Sequence, residues 1–174
     1  MKKYFLNSDN WKYSETLKNS FDDLTNEFEQ ANQDSFEDSD ISYNNVNIKS
    51  AGWKFLTFIS KGNYHYTNIE QFPTVKHLIK EIPVYDNCSF SIIGPKGIVP
   101  PHIGHSDAHF RVHLGIKTDG QAWIRVGDQT QHWKEKEILI FDDYANHEVF
   151  NPSDKTRVVF AFDIKREDYF NNVI

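Results

Sequence analysis

The chain has 174 residues, with 19 Lys and Arg against 25 Asp and Glu and a formal net charge of −6. That balance argues against nonspecific nucleic-acid binding, because a phosphate backbone is held by surplus cations. No apolar run approaches the ~18 residues of a membrane helix, and the single cysteine, Cys88, cannot close an internal disulfide. The two lysines near the start are followed by no apolar stretch, so a cytoplasmic protein without a signal peptide is expected, binding neither nucleic acid nor membrane.

Residues 3–6 are expected to form a short strand. From 14 to 33, Leu17, Phe21, Leu24 and Phe28 recur at helical spacing with polar residues between them, which predicts one amphipathic helix started near Ser14. Residues 34–43 are acidic, serine-rich and aperiodic, and read as a surface loop. What precedes that loop is too short to fold alone, so one domain is expected over 1–174: helix and loop in 1–50, a β-rich core in 51–174. Within the core, 53–59 reads as a strand and Gly62 as a turn. Residues 74–81 read as a short helix opened by Phe72-Pro73 and ended by Pro83. Short β-rich runs then follow at 89–93, 98–103, 110–116, 122–126, 130–133, 138–141, 147–150 and 157–164. Turn signals such as Gly94-Pro95-Lys96-Gly97, Asp119-Gly120 and Asn151-Pro152 separate them. Many short strands at this spacing mean a sandwich or barrel.

The densest chemistry lies in PPHIGHSDAHFRVHLGI, residues 100–116, which holds four of the eight histidines. In its second half Phe110, Val112, Leu114 and Ile116 fall on one strand face, and His109, Arg111, His113 and Gly115 on the other. His102 and His147 are 45 residues apart with several hairpins between them. They are either two metal ligands converging from neighbouring strands or two hydrogen-bonded histidines. Asp107 is a candidate third ligand. Arg157 opens a very apolar strand and pairs either with a bound anion or with an internal carboxylate; Arg111 has the same two readings. Ser91 can donate one hydrogen bond to a carboxylate. His65, His77 and His132 read as surface or packing residues, and nothing around Cys88 marks a nucleophile.

Residues 89–164 resemble the aspartyl/asparaginyl β-hydroxylase family of Fe(II)- and 2-oxoglutarate-dependent oxygenases. The resemblance is carried by SFS at Ser91, PHIGHSDAHFRVHLGI, FDDYANHEVF following Trp133, and TRVVFAFDI. WKFLTFISKG and FPTVKHLIKEIP are similar to the family's lead-in, while the N-terminal helix and acidic loop lie outside the resemblance. It implies a mainly β fold, a cupin-like double-stranded β-helix or jelly roll, with the N-terminal helix and the second short helix packed on it. His102 and His147 match the iron ligands. Arg157 matches the arginine on the distal carboxylate of 2-oxoglutarate, and Ser91, Arg111 and His113 match further cosubstrate contacts. Gly104 stands where most 2-oxoglutarate oxygenases have a third, carboxylate ligand, as it does in the aspartyl branch. Asp143 matches a carboxylate able to hold a metal-bound water.

His109 stands where the aspartyl-directed enzymes use an arginine, so the resemblance gives it to the substrate at the pocket mouth. A shorter, partly charged histidine there points to a substrate other than an aspartyl residue, a small amino acid or peptide. The expected reaction is O₂-dependent hydroxylation of an aliphatic C–H bond. Two alternatives stand beside it: a halogenase using the position left by Gly104, and a non-catalytic cupin-like domain binding a metal or small acid. Ser91, Arg111, His113 and Arg157 together weigh against the second.

Overall fold

In the computed structural model, residues 2–39, 42–43, 46–47 and 52–173 are described. The N-terminal half gives β1 (Phe5–Leu6), α1 (Ser14–Asn19), α2 (Phe21–Gln30), β2 (Glu37–Asp38), β3 (Ser42–Tyr43), β4 (Val46–Asn47), β5 (Trp53–Ser60), β6 (Asn63–Tyr64), α3 (Tyr66–Ile69) and α4 (Pro73–Glu81). The rest gives β7 (Val84–Ile93), β8 (Ile98–His102), β9 (His109–Lys117), β10 (Trp123–Val126), β11 (Gln129–His132), β12 (Ile138–Phe141), β13 (His147–Phe150), β14 (Arg157–Lys165) and α5 (Arg166–Asn171). An eight-stranded sheet runs in the order β1-β12-β9-β14-β7-β5-β2, with β6 paired to β5. A four-stranded sheet runs β11-β10-β13-β8, and β3 pairs with β4 alone. The pairings within both larger sheets are antiparallel. This is the expected mainly β, cupin-like jelly roll.

Alternation along β14 shows why its position is central. Val158, Phe160, Phe162 and Ile164 join the core cluster that includes Leu17 and Leu24 of the two N-terminal helices, Val75 and Leu78 of α4, and Phe58 and Phe90. Val159 and Ala161 instead join a second cluster with Val99, Ile124 and Val149 of the smaller sheet. A strand buried on both faces has no polar side to show, which is why TRVVFAFDI is so apolar. β8 is the opposite case. It lies at the edge of the smaller sheet, where Pro100 and Pro101 remove amide donors that a central strand would need.

Three expectations are corrected. The helix over 14–33 is two helices broken at Ser20. The Ser20 hydroxyl donates to the Thr16 carbonyl at 3.0 Å and its amide to Leu17 at 3.2 Å, closing the first helix with a tight turn. The acidic stretch is more than a loop: β2 pairs Glu37 with Phe55 and Asp38 with Lys54, at the sheet edge. Residues 40 and 41 of that stretch fall outside the described residues. The strand expected at 89–93 begins at Val84, directly after Pro83. Among the described residues no helix is long and apolar enough to cross a membrane.

Candidate metal and anion site

The two histidines converge because β8 and β13 are neighbours in register: His147 is the cross-strand partner of His102, and their ring centroids lie 4.1 Å apart. Nδ1 of His102 lies 2.8 Å from the Pro100 carbonyl, and Nδ1 of His147 lies 2.9 Å from that of Ala145. A carbonyl only accepts, so each Nδ1 carries the proton and each Nε2 keeps the lone pair, the tautomer a metal ligand needs. Burial, with the neighbouring His147, pushes the His102 pKa down to about 4, so its ring is neutral.

Asp143 is buried, with Oδ1 3.5 Å from His147 Nε2 and Oδ2 3.5 Å from Arg111 Nη2. Burial works against its charge, yet the Arg111 guanidinium leads in holding its carboxyl well below the usual carboxylate range. Gly104 is fixed beside it by an amide donated to the Asp143 carbonyl at 2.8 Å. A Cβ at position 104 would stand 2.2 Å from Asp143 Oδ2. No side chain, and so no third carboxylate ligand, fits there while Asp143 holds that space. Among the described residues no group of three or more His, Cys, Asp or Glu is arranged to hold a metal. Asp107 is exposed and does not line the cavity, so it does not join the pair.

The anion end lies on the larger sheet. Arg157 is 2% exposed; it donates from Nη1 to the Ser91 carbonyl at 3.0 Å, and its guanidinium sits 4.6 Å from the centre of the Trp133 ring. Its Nε has no hydrogen-bond partner, and among the described residues it pairs with no carboxylate. Burial lowers its pKa to about 9. An internal salt bridge is therefore excluded within the described residues, and a buried cation is left without a counter-ion. Ser91 Oγ accepts from Trp53 Nε1 at 3.2 Å, which leaves its own proton free to donate. His113 Nδ1 accepts from Trp133 Nε1 at 3.3 Å, so its proton is on Nε2. Burial, then Arg157 and Arg111, press the His113 pKa well below its usual value and keep it a neutral donor.

Arg111 lines the same cavity but is largely committed elsewhere. Its Nε donates to Asp163 Oδ1 at 2.7 Å and its Nη2 to Asp163 Oδ2 at 3.3 Å, because Arg111 and Asp163 are cross-strand partners in β9 and β14. His109 is not at the mouth. It is fully buried and outside the cavity lining, with Nε2 3.7 Å from Asp163 and 3.9 Å from Asp143, and the His105 ring centred 5.1 Å away. The alternation put it on the correct face but one rung beyond the cavity. Ser91, His102, Arg111, His113, Asp143, His147 and Arg157 line one cavity of about 710 Å³. Sequence reasoning missed Trp53 and Asp163 and gave Trp133 no role. Strand register, which a single sequence does not contain, is what joins them to the site.

The family profile for Aspartyl/Asparaginyl beta-hydroxylase matches residues 18–167. The match therefore takes in α2 and the acidic stretch, which the sequence motifs left outside the resemblance. An ornithine lipid ester-linked acyl 2-hydroxylase of Rhizobium tropici is 36% identical over 64% of this chain and 41% of its own length. The aspartyl/asparaginyl beta-hydroxylase of Homo sapiens is 29% identical over 68% of this chain and 16% of its own length. The chain thus spans less than half the length of these relatives. Among solved structures, the plu4264 protein of Photorhabdus luminescens aligns over 82% of this chain and 90% of its own, with 13% identity and a TM-score of 0.48. The profile covers most of the chain, and the chain belongs to the aspartyl/asparaginyl β-hydroxylase family.

Proposed function

We propose that the chain is an Fe(II)- and 2-oxoglutarate-dependent hydroxylase of aliphatic C–H bonds. The observation that carries the reading is Arg157, a buried cation with no internal carboxylate partner among the described residues, in the same cavity as the histidine pair. His102 and His147, with Nδ1 protons tied to carbonyls, fit a metal through Nε2, and Asp143 fits a water held beside it. The metal, when bound, supplies O₂-dependent hydroxylation of the substrate C–H, coupled to conversion of 2-oxoglutarate to succinate and CO₂. The chain's own residues position the partners. The Arg157 fork and the Ser91 hydroxyl hold the far carboxylate of the cosubstrate. His113 Nε2–H donates to the same molecule, and Arg111 Nη1, which bonds neither aspartate, is the donor left over on that side chain. The wall residues Ile93, Val99, Ile124 and Phe141 exclude water.

The halogenase alternative loses ground at Gly104, because the space a side chain would fill there already holds the Asp143 carboxylate, which repels a halide. The deciding experiment follows succinate formation from 2-oxoglutarate under O₂, with and without Fe(II). Turnover should need iron. Arg157→Lys, which keeps charge and loses the fork, should raise KM for 2-oxoglutarate about tenfold or more. Arg157→Met should abolish cosubstrate binding without lowering the stability of the ligand-free protein, since it removes an unpaired buried charge. Unchanged cosubstrate affinity in both variants would falsify the assignment.

A further inference from the structure

The charges along the cavity balance except at two places. Arg111 is paired with Asp163, and His105 Nε2 sits 2.8 Å from Asp86. Arg157 is taken by the cosubstrate in the reading above. The remaining cation in the lining is Lys61, which among the described residues pairs with no carboxylate. It stands in the turn after β5, eight residues beyond Trp53, whose ring is 6.3 Å from that of His102. At the usual strand rise of ~3.3 Å per residue, the backbone of Lys61 is about 25 Å along the strand from that of Trp53.

On β5 and β7 the lining between them offers no charged side chain. Phe55 and Thr57 of β5 and Ser89 of β7 form it, and Ile103 and Tyr144, both substantially exposed, belong to the loops next to the two histidines. The lysine's position is also chosen at a cost. Lys61 and Gly62 have φ of 50° and 72°, the two left-handed positions of a tight hairpin, where Asn, Asp or Gly is favoured. The turn is anchored to β7 by the Lys61 amide on Asn87 Oδ1 at 3.2 Å and the Gly62 amide on the Asp86 carbonyl at 2.9 Å.

We infer that the substrate is an anionic amphiphile, its aliphatic chain lying along Phe55 and Thr57 and its charged head held by Lys61, with the carbon to be oxidised presented at the histidine end. This rests on the hydroxylase reading of the same cavity. It sets aside an acidic side chain delivered to the histidines, since Arg111 is paired with Asp163 and His109 lies outside the cavity lining.

Calorimetric titration of the full chain, loaded with Fe(II) and 2-oxoglutarate under anaerobic conditions, tests it without turnover. Dodecanoate should bind more tightly than octanoate, and dodecanol should bind about tenfold or more weakly than dodecanoate. Lys61→Asn, which suits the turn better than lysine and so cannot fail by misfolding, should abolish the difference between acid and alcohol. Lys61→Arg should keep it. Dodecyl phosphate separates a phosphate head from a carboxylate head, and binding of either that depends on Lys61 supports the anion site. Equal binding of dodecanol and dodecanoate, or tighter binding of an aspartyl peptide than of any chain, overturns the inference. Lys61-dependent binding in a protein that never turns over 2-oxoglutarate sinks the hydroxylase reading alone. Iron-dependent turnover with no response to chain length or to Lys61 sinks this inference alone.

Discussion

Gly104 shows how one missing side chain is enforced by its neighbours. The Asp143 carboxylate lies where a Cβ would go, 2.2 Å away, and the Asp143 carbonyl would be only 2.8 Å from that atom. Gly104→Ala should therefore lower stability by about 1–3 kcal/mol, the usual cost of overpacking, and weaken Fe(II) binding by displacing Asp143 from His147. Combining it with Asp143→Gly should recover part of the stability loss, because the two residues share one space. Denaturant midpoints of the four proteins in this cycle check it, and strict additivity would refute the shared-space account. Of the residues expected in the site, all but His109 and the candidate ligand Asp107 meet in one cavity. His109 was misplaced because alternation fixes which face of a strand a residue takes and not how far along the barrel the cavity extends. Asp163 was missed for a related reason. That it occupies both Nε and Nη2 of Arg111 depends on their being cross-strand partners.

At the scale of elements, the strands were the legible part. Their turns carry Gly, Pro, Asn and Asp, and their faces alternate, both of which are local signals. The break at Ser20 was hidden because Leu17 and Leu24 keep one helical period across it and both reach the core. β2 was hidden for a different reason: an edge strand of two exposed acidic residues carries no apolar pattern, and only its partner β5 defines it. The doubly buried β14 is the element most sensitive to loss of bulk. Phe160 is 1% exposed and packs its ring, tilted, against both Phe90 and Phe162. Phe160→Ala should cost about 3–5 kcal/mol; Phe170→Ala, at a residue 64% exposed, should cost less than about 1 kcal/mol. Urea unfolding of the two variants compares them, and similar midpoints would show that β14 is not the centre of the core.

Over the whole molecule, the site should make metal-free stability depend on pH. The pKa of His102 lies at about 4 and that of His113 well below its ordinary value, both chiefly through burial. Against unfolded values near ~6.5, the unfolded chain binds protons that the folded chain refuses. The stability these rings contribute is present above pH ~6.5 and is lost as pH falls toward the folded values. Asp143 has a depressed folded pKa too, so its share is present above the unfolded ~3.9 and disappears only in stronger acid. Denaturant midpoints should fall steadily from pH 7 to pH 4.5. A flat profile in that range would show that both rings are solvated and chargeable.

The division of the site between two sheets has a consequence of its own. His102 and His147 belong to the four-stranded sheet and Arg157 to the eight-stranded one. The span between the histidine pair and Arg157 is thus the gap between the sheets, ~10 Å in stacked sheets generally, and it is set by the side chains that fill it, Val99, Ile124, Val149 and Val159 among them. The barrel works as a calliper with one jaw on each sheet. On the proposed reading, a keto acid one methylene shorter than 2-oxoglutarate would reach either jaw but not both, so discrimination between acids of different length would reside in the thickness of the hydrophobic filling, part of which lines the same cavity.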